Sequence, residues 1–277
     1  MRLGAPLFKP SDDPDSWISA LAYHGYTAAF CPLKDLNDPN LAQAYADAAT
    51  QNNIVIAEVG AFGNNPISPD DSIRKQGIEN CQNKLALADA IGARCCVNTS
   101  GSRAEGWASP HADNYAPETF DLIVESVRTI IDAVNPTRSF YALEMMPYML
   151  PDSPESNLDL IKAVDRKQFA VHFDPVNIVN SPHRYYNNGA LIRDCFKILG
   201  PYIKSCHAKD ILLHDKLTTH LDEVRPGLGN LDYTTFLHEI DKLDSDMPLM
   251  IEHLKGEEEY AKAAEHIRLL WKALWNR

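Results

Sequence analysis

Short apolar runs alternate along the chain with longer stretches in which apolar residues return every three or four positions. The short runs fall at 2–6, 26–30, 54–59, 94–99, 140–144, 169–174, 203–208 and 248–252, and their length and composition predict strands. Between them, 41–53, 72–92, 119–134, 156–165, 189–200, 232–243 and 258–274 carry the spacing of helices that lay an apolar stripe on a sheet. Eight strand units with helices between them in a chain of 277 residues predict an α/β fold closed into a (β/α)8 barrel. An open, doubly wound sheet is the competing architecture. Its dinucleotide fingerprint is missing, because the first strand leads into LFKPSDDPDSW and not into a glycine-rich turn. Stretches rich in Pro, Ser and Asp at 62–71, 100–118 and 211–230 each follow a strand, where long βα loops belong. No domain boundary interrupts the series, so 1–277 reads as a single barrel domain whose working face is the carboxyl end of its strands.

Composition narrows the function classes. A hydrophobic content of 45% allows a large core, and a formal charge of −12 disfavours non-specific nucleic-acid binding. No run of about 18 apolar residues appears, and MRLGAPLFKPSDD is too polar for a signal or anchor, so a cytoplasmic location with no membrane partner is the expectation. The six cysteines, at 31, 81, 95, 96, 195 and 206, include no close-spaced pair of zinc-ligand type. They read as reduced, mostly buried small hydrophobes.

The candidate chemistry sits where strands five to eight end: FYALE at Glu144, FAVHFD at Asp174, IKSCH at His207 and PLMIE at Glu252. Strand alternation that points Glu144 inward also points Ala142 inward and leaves Tyr141 and Leu143 facing the helices; Asp174 likewise shares its side with His172. Barrel active sites gather groups distant in sequence at this face. Three carboxylates and an imidazole brought together there repel one another without a cation, and they offer the oxygen and nitrogen donors that suit one divalent metal: manganese, cobalt, iron, magnesium or zinc. His172 is expected to point into the same space, as a substrate contact or a support for the ligands. Lys209 is expected to bind an anionic or hydroxyl group of a substrate, or to pair with Asp210 or another loop carboxylate. Glu58, ending strand three, and Trp107, in the long fourth loop, are expected to build the pocket. Gly227 and Gly229 match no nucleotide loop, and Asp232 after them reads as a helix start.

Glu144, DPVN (174–177), HAKD (207–210), PGLGNLDY (226–233) and IEH (251–253), in this order and spacing, resemble the xylose isomerase-like TIM barrels, in particular the sugar phosphate isomerase/epimerase branch with its ketose 3-epimerases. The resemblance covers essentially the whole chain. It implies Glu144, Asp174, His207 and Glu252 as ligands of one divalent ion, with Mn2+ the first expectation and Co2+, Mg2+, Fe2+ or Zn2+ open. It implies a sugar isomerase or epimerase in which Glu144 and Glu252 move a proton through an enediolate of a ketose or keto-sugar derivative. Arg225 and Asn177 stand where the family contacts substrate. The ketose 3-epimerases have histidine at the position of Asn177 and a further glutamate at that of Leu150, so the free-ketose assignment is open. A lyase or dehydratase acting on a keto-sugar, keto-glycoside or keto-inositol is an alternative, as is a non-catalytic sugar-binding barrel. The implied partner is a small sugar, with the chain in a homo-dimer or homo-tetramer.

Overall fold

The structure is a computed structural model that describes residues 1–9 and 12–275. Among the described residues ten strands run in chain order: β1 Arg2–Gly4, β2 Ala28–Phe30, β3 Val55–Gly60, β4 Cys95–Asn98, β5 Phe140–Glu144, β6 Phe169–Phe173, β7 Ile203–Ala208, β8 Asp210–His214, β9 His220–Val224 and β10 Pro248–Ile251. Eight of them form a parallel sheet in the order β1-β10-β7-β6-β5-β4-β3-β2. Thr27 N–H donates to Leu3 O across the remaining seam (2.9 Å), which rolls the sheet into the expected barrel. At Gly4 an added Cβ would lie 2.4 Å from Ala28 O and 2.7 Å from the Met250 sulfur, so only glycine lets β1 run this close to its neighbours.

The helices are α1 Pro14–His24, α2 Pro39–Gln51, α3 Asp71–Ile91, α4 Pro117–Val134, α5 Pro154–Val164, α6 Pro175–Ile178, α7 Pro182–Tyr186, α8 Asn188–Leu199, α9 Tyr233–Asp241 and α10 Gly256–Trp275. Asp13, Asp38, Asp70 and Ser153 cap helix starts by accepting from backbone N–H groups of the first turn. Tyr141, Leu143, Val171, Phe173, Leu249 and Ile251 join the large core between sheet and helices. Inside the barrel, by contrast, most of the lower side chains are small: Cys95, Val97, Ala142 and Ala170 in one cluster with Phe140 packed against it, Ala28 and Ala57 with the longer Met250 in another with Phe30 against it. This difference leaves room above them for polar side chains.

Two elements depart from the sequence expectation. Helix α1 lies between the first two strands, where the sequence reading assigns no helix. Its start is a capping box between Asp13 and Ser16, with Pro14 at the first position, and it buries Trp17, Ala20 and Leu21. The expected loop 211–230 holds most of an antiparallel hairpin, β8 with β9, in which Ile211 pairs with Glu223 and Leu213 with Leu221. All six cysteines are free, and five of them are buried.

Candidate metal centre and active-site cavity

Register and pleat assemble the site. Glu144 on β5 is level with His172 on β6, which is level with Ser205 on β7. Asp174 and His207 each stand two residues further along, on the same inward side, and Glu252 stands two residues beyond Met250, the partner of His207. One donor atom from each of Glu144, Asp174, His207 and Glu252 lies within 4.8 Å of all the others. Opposite ligands of an ion held at about 2–2.4 Å stand about 4–4.8 Å apart, so the four fit a single coordination sphere.

The side-chain details agree with that fit. Asp174 uses Oδ1 to cap α6 through Val176 N–H (2.9 Å), while its buried Oδ2 accepts no well-formed hydrogen bond and is ion-paired with Lys209 Nζ at 2.8 Å. His207 Nδ1 approaches Glu252 Oε1 (2.9 Å) and Glu144 Oε1 (3.6 Å), again without a hydrogen bond of acceptable angle to either. Carboxylates and an imidazole that converge on a common point in the interior are costly unless cationic groups pair with them or a cation binds there.

Glu58 holds His207 in this orientation. It is 1% exposed, and its Oε1 lies 3.0 Å from His207 Nε2, while Oε2 meets His172 Nε2 (3.1 Å) and accepts from Ser205 Oγ (3.0 Å). A carboxylate on the far nitrogen fixes the tautomer that presents Nδ1 to a metal. Burial pushes the Glu58 carboxyl up, but the His207 and His172 imidazoles reverse this and hold it below the usual range. Burial pulls the His207 imidazole down, and the Glu58 and Glu252 carboxylates more than restore it, leaving it well above its usual value.

The HAKD stretch divides its work among three side chains. Lys209 does not pair with Asp210; its Nζ lies 2.8 Å from Asp174 Oδ2, 2.8 Å from Glu252 Oε1 and 3.1 Å from Glu223 Oε1. Asp210 instead accepts from the N–H groups of Ile211, Gly227, Gly229 and Leu231 at 2.9–3.0 Å, pinning the PGLG turn. An added Cβ on Gly229 would lie 2.3 Å from Ile211 O and 2.4 Å from Asp210 Oδ1, which explains the glycine in structural terms. Asp232 caps α9 through Thr235 N–H.

Above the ligands opens a cavity of about 580 Å³. Glu144 and Glu252 reach into it, and Asn177, Lys209, Glu223 and His253 complete its polar side. Phe62 and Trp107, with ring centroids 6.3 Å apart, join Met146, Pro147 and Tyr148 on the apolar side. Asn177 donates to Glu144 Oε1 (2.8 Å) and accepts from Lys209 (3.2 Å).

Two sequence expectations need correction. Glu58 does not line the cavity; it is buried beneath the ligands, because β3 points it across the barrel toward the two imidazoles, and His172 lies there with it, in the supporting one of its two expected roles. Arg225 turns to Glu259 on α10 (2.9 Å) and faces a smaller cavity of about 330 Å³ that adjoins the first through Lys209, Glu223, Glu252 and His253. Glu223 and His253 were not anticipated as site residues. His253 follows Glu252 in a quoted motif and had a readable signal, whereas Glu223 is carried by the hairpin taken for a loop.

An uncharacterized protein of Methanocaldococcus jannaschii is 23% identical over 194 residues, 68% of this chain and 60% of that protein, so the chain matches less than two thirds of the length of this curated relative. The fold is similar to a D-psicose 3-epimerase from Clostridium cellulolyticum solved with D-tagatose, at a TM-score of 0.70 and 16% identity over 99% of both chains. It is also similar to endonuclease IV from Thermus thermophilus, at a TM-score of 0.75 and 12% identity over 99% of this chain and 100% of that one. A sequence model described as a Xylose isomerase-like TIM barrel matches residues 18–270, and the chain belongs to that family.

Proposed function

We propose that the protein is a divalent-metal-dependent sugar isomerase or epimerase that moves a proton on a ketose or keto-sugar derivative through an enediolate. The observation that carries this reading is the position of Glu144 and Glu252: both belong to the four-residue donor set, and both also reach into the cavity. Fold and donor set together support a metal-dependent enzyme, and similarity to a D-psicose 3-epimerase is in keeping with a sugar substrate.

A divalent ion in this donor set supplies Lewis-acid polarisation of a substrate carbonyl. Glu144 and Glu252 come from strands separated by β6 and β7, so they approach a bound planar enediolate from different sides. One carboxylate takes the proton next to the carbonyl and the other returns one, on the same carbon in an epimerase or on the neighbour in an isomerase. Asn177 orients Glu144, and Lys209 holds Glu252 and Asp174 in place. Burial raises the Glu252 carboxyl, but the charges and hydrogen bonds of His207 and Lys209 outweigh this and bring it below the usual carboxylate range. The ion is Mn2+ in this reading, the partner is a small sugar rather than a nucleic acid or membrane, and the assembly is a homo-oligomer.

Incubation of the manganese-loaded protein with ketoses in D2O tests the reaction by mass spectrometry. Deuterium is expected to enter the sugar, and Glu252→Gln is expected to slow this by about 10²- to 10⁴-fold. Exchange that proceeds equally well in Glu252→Gln, or deuterium found only in an eliminated product, overturns the proposal.

A further inference from the structure

The cavity holds a carboxylate–imidazole pair that the proton transfer does not use. Glu223 on β9 and His253 beyond β10 meet through Glu223 Oε2 and His253 Nδ1, 2.8 Å apart, at the rim above Lys209. His253 has φ 60°, in the left-handed region that suits few residues with a side chain. The other non-glycine residues at positive φ, Asn53, Asn135 and Asp165, are Asn or Asp at helix C-termini, where this conformation is ordinary. His253 follows a strand and not a helix, and its ring meets Glu223 next to the acid/base Glu252.

The remaining polar groups have commitments. The Asn177 amide is shared between Glu144 and Lys209. The Lys209 ammonium is surrounded by the Asp174, Glu252 and Glu223 carboxylates and by Asn177 Oδ1, more acceptors than it has protons, so it has no donor to spare for a phosphate or carboxylate on a substrate. Each Glu223 oxygen, by contrast, has a second lone pair, and the carboxylate is partly open to solvent at the cavity rim. In the lining of the same cavity, Phe62 and Trp107 offer apolar surface against which the C–H face of a sugar packs.

Building on the proposed keto-sugar reading, we infer that Glu223, braced by His253, is the specificity-determining residue that accepts hydrogen bonds from the hydroxyls remote from the reacting carbonyl of a neutral, unphosphorylated substrate. The hairpin β8–β9 thereby acts as the recognition wall of the cavity. Acceptors fixed at the rim favour hydroxyls at one distance from the metal centre, and a substrate lacking them leaves Glu223 unpaired.

Isothermal titration of the manganese-loaded protein with the four D-ketohexoses and with dihydroxyacetone tests this. All the probes carry a ketone flanked by a hydroxyl, and only the hexoses carry hydroxyls beyond the third carbon. Glu223→Ala is expected to weaken the tightest-binding ketohexose by about tenfold to a hundredfold, while dihydroxyacetone changes by less than about twofold. Glu223→Gln, which keeps the volume and removes the charge, is expected to fall between wild type and Glu223→Ala. Equal losses for both kinds of probe, no loss for either, or no ketohexose binding by the wild-type protein overturns the assignment. Solvent exchange on the same samples separates this inference from the proposed reaction. Binding that depends on Glu223 without exchange removes the proton-transfer reading and leaves the recognition role standing, and exchange without dependence on Glu223 does the reverse.

Discussion

Glu58 shows how one buried charge is made tolerable and useful. Its two oxygens receive two imidazoles and one hydroxyl, so the carboxylate is paired on every side, and the same contacts aim His207 Nδ1 at the other three donors. Replacing the charge while keeping the shape separates these roles. Glu58→Gln is expected to reduce Mn2+ affinity by about 10- to 100-fold with the fold retained, as read by metal titration alongside circular dichroism. Unchanged affinity would mean that His207 is held by packing alone. In the sequence Glu58 is a strand-terminal acid like Glu144. What it touches depends on the register of β3 against β6 and β7 across the barrel, and local alternation does not give that.

Among the elements, the junction between α3 and β5 illustrates how a helix is fastened to the strand two units on. Asp89, near the end of α3, accepts through Oδ1 from the N–H groups of Thr137, Arg138 and Ser139 at 2.8, 2.6 and 3.0 Å. Burial pushes this carboxyl up, and the backbone donors together with the Thr137 hydroxyl more than offset it, so it lies below its usual value in the folded protein. A folded carboxyl with a depressed pKa contributes stability above its unfolded pKa and loses it as pH falls through the folded value. Asp89→Ala is therefore expected to cost about 1–3 kcal/mol at neutral pH, and the charge-dependent part of that difference is expected to vanish in acid, as pH falls through the lowered folded value. Urea denaturation at neutral and at acid pH checks it, and an equal penalty at low pH would refute the charge-based account. The hairpin β8–β9 works at the same scale. It places Glu223 over a site whose ligands all come from the barrel, and Asp210 anchors it by pinning the turn that follows.

For the whole molecule, the four donors tie together β5, the ends of β6 and β10, and β7, half of the barrel wall. An ion that binds only this assembled set stabilises the fold by mass action. At a free Mn2+ concentration a hundredfold above its Kd the gain is about 2.7 kcal/mol, or about 5–10 °C in Tm for a chain of this size. Calorimetry with Mn2+ and then with excess chelator is expected to show the rise and its reversal; an unchanged Tm would mean that the donors do not share an ion. The family match over residues 18–270 places this wall in the Xylose isomerase-like TIM barrel fold. The sequence by itself determined the barrel and the four donors, because strand alternation and the order of strand ends are local properties of the chain. It also marked Lys209 and Asp210 as unusual without assigning their partners. Only the tertiary structure decided that Lys209 bridges carboxylates, that Asp210 pins a turn, that Glu58 and His172 lie beneath the cavity, that Arg225 faces α10, and that Glu223 and His253 meet at the rim. Each of these depends on which strands face one another across the barrel and where the hairpin folds back, distances set by closure of the sheet and not by spacing along the chain.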